Sequence, residues 1–415
     1  MHRYATFLIR GLKMETSMKI FKNTYWRKGR RLVARLILLP FFVSLFFCTT
    51  AQAKEPEKNS LHALSALLYD AEAGRVLYEK NGYEQMAMAS TTKIMTLLIA
   101  LEQGNLEDIV TVSKNAAIQP DVQLNMNTGE QYYLKDLVYS LMLESHNDTA
   151  VAIAEHVGGS VEDFAARMNA KARELGALHT QFVTPNGLDA DGHYTTAADL
   201  AKIAAYAIQN ERFVAITNTQ SHSFSELTKG RGFTVSNKNQ FLHMMDGAIG
   251  VKTGFTGKAG YCFVGALKRE DRTLVSVVLA SGWPPNKTYK WQDTKRLMQY
   301  GLEDFKKELI LETLPELSDA PVIEGKQDFV PLCYGKEAEE LLNETLLLNG
   351  SEIITTEFEW TKQLQAPVEA GEMVGFLSVY IDDVLYQKIP IQTALAVEPV
   401  DYLFFLEKVI KLFLS

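Results

Sequence analysis

Cysteine is scarce in this chain of 415 residues. There are three, and Cys48 lies in an amino-terminal stretch unlike the rest. The other two, Cys262 and Cys333, do not make a disulfide scaffold; one bridge between them is possible but not implied. Histidine is sparse too, and His193, His222 and His243 are too scattered to offer zinc-ligand spacing, so neither a metal nor another cofactor is expected. Long apolar runs are missing: Leu36 to Cys48 spans 13 residues, short of the roughly 20 needed to cross a bilayer. Acidic side chains are nearly absent from residues 1–53, which hold ten Lys or Arg and one Glu. The remainder carries 32 basic and 49 acidic residues, a net charge of −17, which disfavours nucleic acid as a partner.

What is present is the composition of an ordinary globular protein, 47% apolar and 22% charged, with length for two domains. The amino terminus has its own logic. Arg27-Lys-Gly-Arg-Arg31 and Arg35 precede the apolar run, and Ala51-Gln-Ala53 follows it before the polar Lys54-Glu-Pro-Glu57. Charged region, apolar region and Ala-x-Ala site in that order predict an export signal over residues 1–53. Met14 or Met18 would serve equally as its start. Cys48 raises the question of lipidation, but Phe46-Phe47 before it fit such a site poorly.

Beyond the signal, Ser65–Asp70 and Arg75–Lys80 read as a hairpin turning through Gly74, and a helix running to about Glu102 is stopped by Gly104. Helical patterns follow at Leu134–Leu143, Thr149–His156, Ser160–Leu175 and Thr196–Gln209. Strands return at Gly250–Thr253, Gly260–Leu267 and Thr273–Ala280, before a last helix over Asp293–Phe305. Strands at both ends with helices between them suggest one α/β (α+β) domain, residues 60–308, whose antiparallel sheet is closed by its two termini and backed by a helical cluster. Residues 315–398 read as a small all-β domain, with strand-like runs at Glu352–Phe358 and Val374–Ile381. Residues 399–415 form an amphipathic helix on which Glu407, Lys408 and Lys411 share one narrow arc. Too short and charged to span a bilayer, it suits the membrane interface.

The chemistry begins at Ser90-Thr-Thr-Lys93. Residues three apart on a helix share a face, so hydroxyl and amine can meet; yet an isolated Ser-x-x-Lys arises about once or twice by chance in such a chain, most simply as an N-cap followed by a solvated lysine. Ser145-His-Asn147 between two helices is equally common alone. Lys252-Thr-Gly254 on a strand is rarer. Their order and contexts, helix start, inter-helix turn and strand, carry the information that none carries singly.

With these motifs the chain resembles the D-alanyl-D-alanine carboxypeptidases, the low-molecular-mass penicillin-binding proteins whose fold is shared with class A β-lactamases. Gly187-Leu-Asp-Ala-Asp-Gly-His-Tyr-Thr-Thr-Ala197, Lys252–Tyr261 and Ala366-Pro-Val-Glu-Ala-Gly371 extend the resemblance. It implies a serine hydrolase trimming the terminal D-alanine from peptidoglycan pentapeptide stems at the outer face of the cytoplasmic membrane, with β-lactams as covalent inhibitors. It makes Ser90 the nucleophile, Lys93 its base, Ser145 a proton relay and Asn147 a ligand of substrate and of Lys93. Lys252 and Thr253 would receive the substrate carboxylate, with Lys287 or Lys290 as an added cation. Gly254 would let substrate lie close to the strand, and the amides of Ser90 and Phe255 would form the oxyanion hole. His146 departs from the small residue usual there. His193 and Tyr194 match the family but read as structural. An endopeptidase cutting D-Ala cross-links, or a non-catalytic penicillin-binding scaffold, are the rivals.

The comparison with β-lactamases has a further consequence. Their deacylating glutamate lies some 35 to 40 residues beyond Ser-x-Asn. Here that window is Thr180–Pro185, which contains no carboxylate; the nearest acids are Glu174 and Asp189.

Overall fold

Strand β1, Ala63–Asp70, is apolar on both of its alternating faces, which requires cover on both sides. A computed structural model describes residues 55–414 apart from Asp121, Glu270 and Lys362, so the expected signal at 1–53 lies outside the described residues. β1 pairs with β2, Arg75–Lys80, on one side. On the other it pairs with β5, Arg272–Ser281, which continues through β4, Gly260–Arg269, to β3, Ala248–Thr256. The sheet is antiparallel throughout, in the order β2-β1-β5-β4-β3. Its middle strand comes from the end of the domain and pairs with the strand that begins it.

Side chains alternate between two cores. Leu67 and Tyr69 of β1, with Val275, Val277 and Leu279 of β5, face the helical cluster: α1 (Lys93–Gln103), α2 (Leu134–Leu143), α3 (Asn147–Gly158), α4 (Val161–Glu174) and α5 (Ala197–Ala207). Ala66, Leu68, Leu274 and Val278 face the other way, towards Trp291, Leu297 and Met298 of α7 (Tyr289–Glu303). Asp293 on α7 is buried and accepts hydrogen bonds from the amides of His62 and Ala63 and from Ser281 Oγ, joining the start of β1 to the end of β5.

Several boundaries move from their expected places. The last helix begins at Tyr289 and ends at Glu303, four and two residues before the expected limits. α3 starts at Asn147 itself, not Thr149. Helix α6, Glu211–Asn218, was not anticipated: at eight residues it is too short for a clear period, though Asn210 caps it by accepting from the amides of Arg212 and Phe213. Two short hairpins, Ile109–Thr111 with Gln131–Tyr133 and Ser221–Ser225 with Gly232–Ser236, also carry too little alternation to stand out.

The tail is β-rich. Strands β6 (Leu332–Tyr334), β7 (Ile354–Trp360), β8 (Met373–Ile381) and β9 (Val384–Thr393) form an antiparallel sheet in the order β6-β9-β8-β7, with the short helix α8 (Glu337–Asn343) beside it. The segment Lys306–Leu309 pairs with Thr345–Leu348, and Leu347 enters the core beneath α7. Arg75 on β2 donates to Leu347 O at 2.7 Å and pairs with Glu352 at 2.9 Å. Helix α9, Tyr402–Leu414, has no buried residue. No described helix is long and apolar enough to cross a membrane. Cys262 is buried, Cys333 exposed, and both are free thiols.

Candidate active site

Ser90 stands in a single 3₁₀ turn, Ala89–Thr92, that feeds directly into α1. The expectation that it doubles as the helix N-cap is not met, since its hydroxyl caps no amide. The threonines occupy the turn instead: Thr91 Oγ1 donates to Met88 O at 2.6 Å and Thr92 Oγ1 to Ala89 O at 2.8 Å. Ser90 Oγ is thereby left facing Lys93, whose Nζ lies 3.0 Å away, and Asn186 O at 3.4 Å.

Lys93 is fully buried. Its amine also meets two carbonyl-type oxygens, Asn147 Oδ1 at 2.8 Å and the main-chain oxygen of Asn186 at 2.6 Å. A neutral amine has two hydrogens and one lone pair. With both hydrogens taken by Asn147 and Asn186, the lone pair is left facing the serine hydroxyl, the geometry a general base requires. Asn147 is oriented for this by its own amide nitrogen, which donates to Pro120 O at 3.0 Å, while its backbone N–H holds Val122 O. The neighbouring Asp148 is buried and accepts from the amides of Leu124 and Met126, fixing the same loop. Ser145, two residues before Asn147, is half-buried with φ 70°.

The electrostatics favour the neutral amine. Burial holds Lys93 well below the ordinary lysine value, the charge of Lys252 adds to this, and Asp148 opposes it. Lys252 is brought down to about 7 by burial and then by Lys290. Lys290 falls to about 8, chiefly through burial, with Cys262 opposing and Lys287 contributing. Three buried lysines thus act in series, Lys290 on Lys252 and Lys252 on Lys93. Between the two lysines expected as the added cation, Lys290 is the one that acts on Lys252; it lies 4.9 Å from the Tyr261 ring and 5.0 Å from that of Trp291.

Strand β3 runs past the Ser90 turn. A Cβ placed on Gly254 would come 3.0 Å from the amide nitrogen of Ser90 and 3.1 Å from Ala89 Cβ, so the glycine is needed for the close approach of strand and turn, not only of substrate. That approach sets the amides of Ser90 and Phe255 on adjoining segments. The Phe255 side chain points outward, 43% exposed, against the Tyr261 ring.

Residues 50–282 match the family model described as D-alanyl-D-alanine carboxypeptidase. The chain belongs to that family. A second model, described as the C-terminal domain of penicillin-binding protein 5, matches residues 305–399. Among relatives of this carboxypeptidase, D-alanyl-D-alanine carboxypeptidase DacF of Bacillus subtilis is 29% identical over 91% of this chain and 97% of its own. DacA of Haemophilus influenzae is 32% identical over 77% and 81%. Among solved structures, penicillin-binding protein 5 of Haemophilus influenzae superposes with a TM-score of 0.63 at 27% identity, covering 83% of this chain and 98% of that one.

Sequence reasoning about this carboxypeptidase did not find Asn186, because its contribution is a backbone oxygen. The signal lay in the next residue. Gly187 has φ 84°, and a Cβ there would fall 2.1 Å from Ala89 O, so only glycine lets the Asn186 loop lean on the Ser90 turn. Of the acids weighed for deacylation, Glu174 is exposed and paired with Lys171, and Asp189 accepts from Thr256 Oγ1 at 3.0 Å. His146 is buried; its Nδ1 lies 2.8 Å from Ser140 Oγ and its Nε2 3.4 Å from Glu144, so it ties the Ser145–Asn147 turn to α2. Burial lowers its pKa, with Asp148 and Glu144 opposing.

Proposed function

We propose that this chain is a serine-type D-Ala-D-Ala carboxypeptidase with Ser90 as nucleophile and Lys93 as base, removing the terminal D-alanine from peptidoglycan stem pentapeptides. The observation that carries this is the buried amine of Lys93, 3.0 Å from Ser90 Oγ and held at the same time by Asn147 Oδ1 and Asn186 O. Ser90 Oγ attacks the carbonyl carbon of the penultimate D-alanine as its proton passes to Lys93. The carbonyl oxygen gains charge within reach of the Ser90 and Phe255 amides. The C–N bond then breaks and the proton returns, by way of Ser145, to the departing amine. Water later replaces the amine, breaking the ester and restoring the Ser90 hydroxyl. Lys252 and Thr253 receive the substrate carboxylate, with Lys290 behind them, and Asn147 orients the substrate backbone.

The test is incubation with a labelled penicillin, which blocks the water after its ring opens. A long-lived adduct on the peptide containing Ser90, absent in Ser90→Ala, is expected; rapid repeated turnover of penicillin would mark a β-lactamase instead. Free D-alanine released from a pentapeptide, measured beside cleavage of a cross-linked dimer, separates carboxypeptidase from endopeptidase, and release of neither would leave only a scaffold.

The enzyme acts in the cell envelope as an exported protein held at the outer face of the cytoplasmic membrane by α9. What supports the anchor is a helix whose Leu403, Phe405, Ile410, Leu412 and Phe413 all stand in the open. The β-rich tail serves as the spacer between that surface and the catalytic domain.

A further inference from the structure

His193 lies in the stretch that resembles the family, and the mechanism above makes no use of it. Its imidazole is buried. Nδ1 accepts the amide hydrogen of Val183 at 3.0 Å, which leaves the proton on Nε2, and Nε2 lies 2.9 Å from Thr92 Oγ1. Thr92 Oγ1 cannot return a proton there because it donates its own to Ala89 O. The three bonds therefore run in one direction: Val183 N–H to Nδ1, Nε2–H to Thr92, Thr92 O–H to Ala89 O.

This chain of bonds joins two pieces of backbone that the chemistry needs in register. One is the turn carrying Ser90. The other is the loop closed at its base by the Gln181–Tyr194 pair, which presents Asn186 O to Lys93. Thr96 Oγ1 ties that loop to α1 through Pro185 O at 2.6 Å, and His193 ties it to the nucleophile turn itself, alongside the long 3.4 Å bond from the Ser90 hydroxyl to Asn186 O and the close approach of Gly187 to Ala89 O.

We propose that His193 is a positioning residue for acylation, acting through Thr92 and Asn186 to hold the Lys93 lone pair on the Ser90 hydroxyl. The proposal rests on Ser90 and Lys93 being nucleophile and base, since displacements well under 1 Å of either group weaken proton transfer without touching substrate. Burial, which brings His193 down to about 4 with Asp189 opposing, keeps the imidazole in the neutral form that the arrangement requires. Two side chains divide its functions: asparagine places an amide near the position of Nδ1, and glutamine near that of Nε2.

The experiment measures the second-order rate of Ser90 acylation by labelled penicillin, kcat and KM for D-alanine release, and the thermal midpoint, in His193→Asn, His193→Gln, Thr92→Val and the His193→Asn/Thr92→Val double variant. His193→Asn is expected to slow acylation about tenfold through kcat, with KM within about twofold, and His193→Gln to recover most of the rate. The double variant should be no slower than the slower single one, because both remove the same bond. Multiplicative losses in the double variant, or a wild-type rate per folded molecule in His193→Asn, would overturn the proposal. Should the variants not fold, ¹⁵N-histidine spectra of the wild-type protein decide: an Nε2–H tautomer at neutral pH is required, and an Nδ1–H tautomer rules the arrangement out. A penicillin adduct on some residue other than Ser90 would defeat the mechanism on which the proposal rests, and is read separately in the wild-type protein.

Discussion

Lys93 and helix α9 break the same rule in opposite directions. The first is an ionisable side chain wholly withdrawn from water, and the second is an apolar surface left largely to it, with Phe413 86% exposed. Each costs free energy that the surrounding structure does not recover: a buried amine loses hydration, and exposed Leu, Ile and Phe side chains forgo burial. The costs have different remedies. Lys93 can meet its cost by shedding its proton, which is what the proposed base must do before it can act. α9 meets its cost only by finding something apolar outside the chain. A residue in the wrong solvent thus points inward to chemistry in one region and outward to a surface in the other.

The comparison breaks first at Lys93. If the amine must be neutral, Lys93→Arg, charged at any usable pH, should lower acylation by at least about a hundredfold. Penicillin trapping at a wild-type rate would mean that another group takes the proton. A gentler probe is pH. Lys93 must lose a proton, so kcat/KM for D-alanine release should rise with pH through its lowered pKa; Lys252 must keep one, so kcat/KM should fall again above its value of about 7 in the free enzyme. The fall should approach about tenfold per pH unit. Lys252→Arg should flatten the alkaline limb, and an unchanged limb would assign it elsewhere.

A buried charge in the scaffold sharpens the contrast. Asp293 keeps its three hydrogen bonds and supplies no chemistry, so Asp293→Ala should lower stability by about 3 kcal/mol in denaturant titration while leaving kcat per folded molecule unchanged. A loss of kcat in the folded fraction would show that the sheet ends bear on the site. The smallest catalytic effect is expected from the other region. Removing residues 399–415 should move the mature protein to the soluble fraction with its activity on soluble peptides intact. Retention in the membrane fraction would place the anchor elsewhere.

What the sequence made legible follows from what a side chain encodes. Ser90 and Lys93 could be paired because three residues make about one turn, and the strands of the sheet stood out because both faces of β1, β4 and β5 are apolar. Lys252 could be named as a cation able to depress Lys93, and it is the charge that adds to burial there. Asn186 O was invisible because every residue has such an oxygen, and only the packing of Gly187 on Ala89 O reveals which one is used. Lys287 and Lys290 were equivalent as letters; the start of α7 at Tyr289 puts one on a helix against Trp291 and leaves the other in the preceding loop. The cap reading of Ser90 failed for a similar reason, since Thr91 and Thr92 were just as able to bond locally and did so.

The Arg75 contact and the burial of Leu347 beneath α7 join tail and catalytic domain through a shared core rather than a flexible tether. Were α9 to lie in the membrane as proposed, that shared core would make the search for substrate a planar one: the enzyme would drift sideways with Ser90 at a set altitude, meeting stems in one stratum of the wall and passing beneath those in the next.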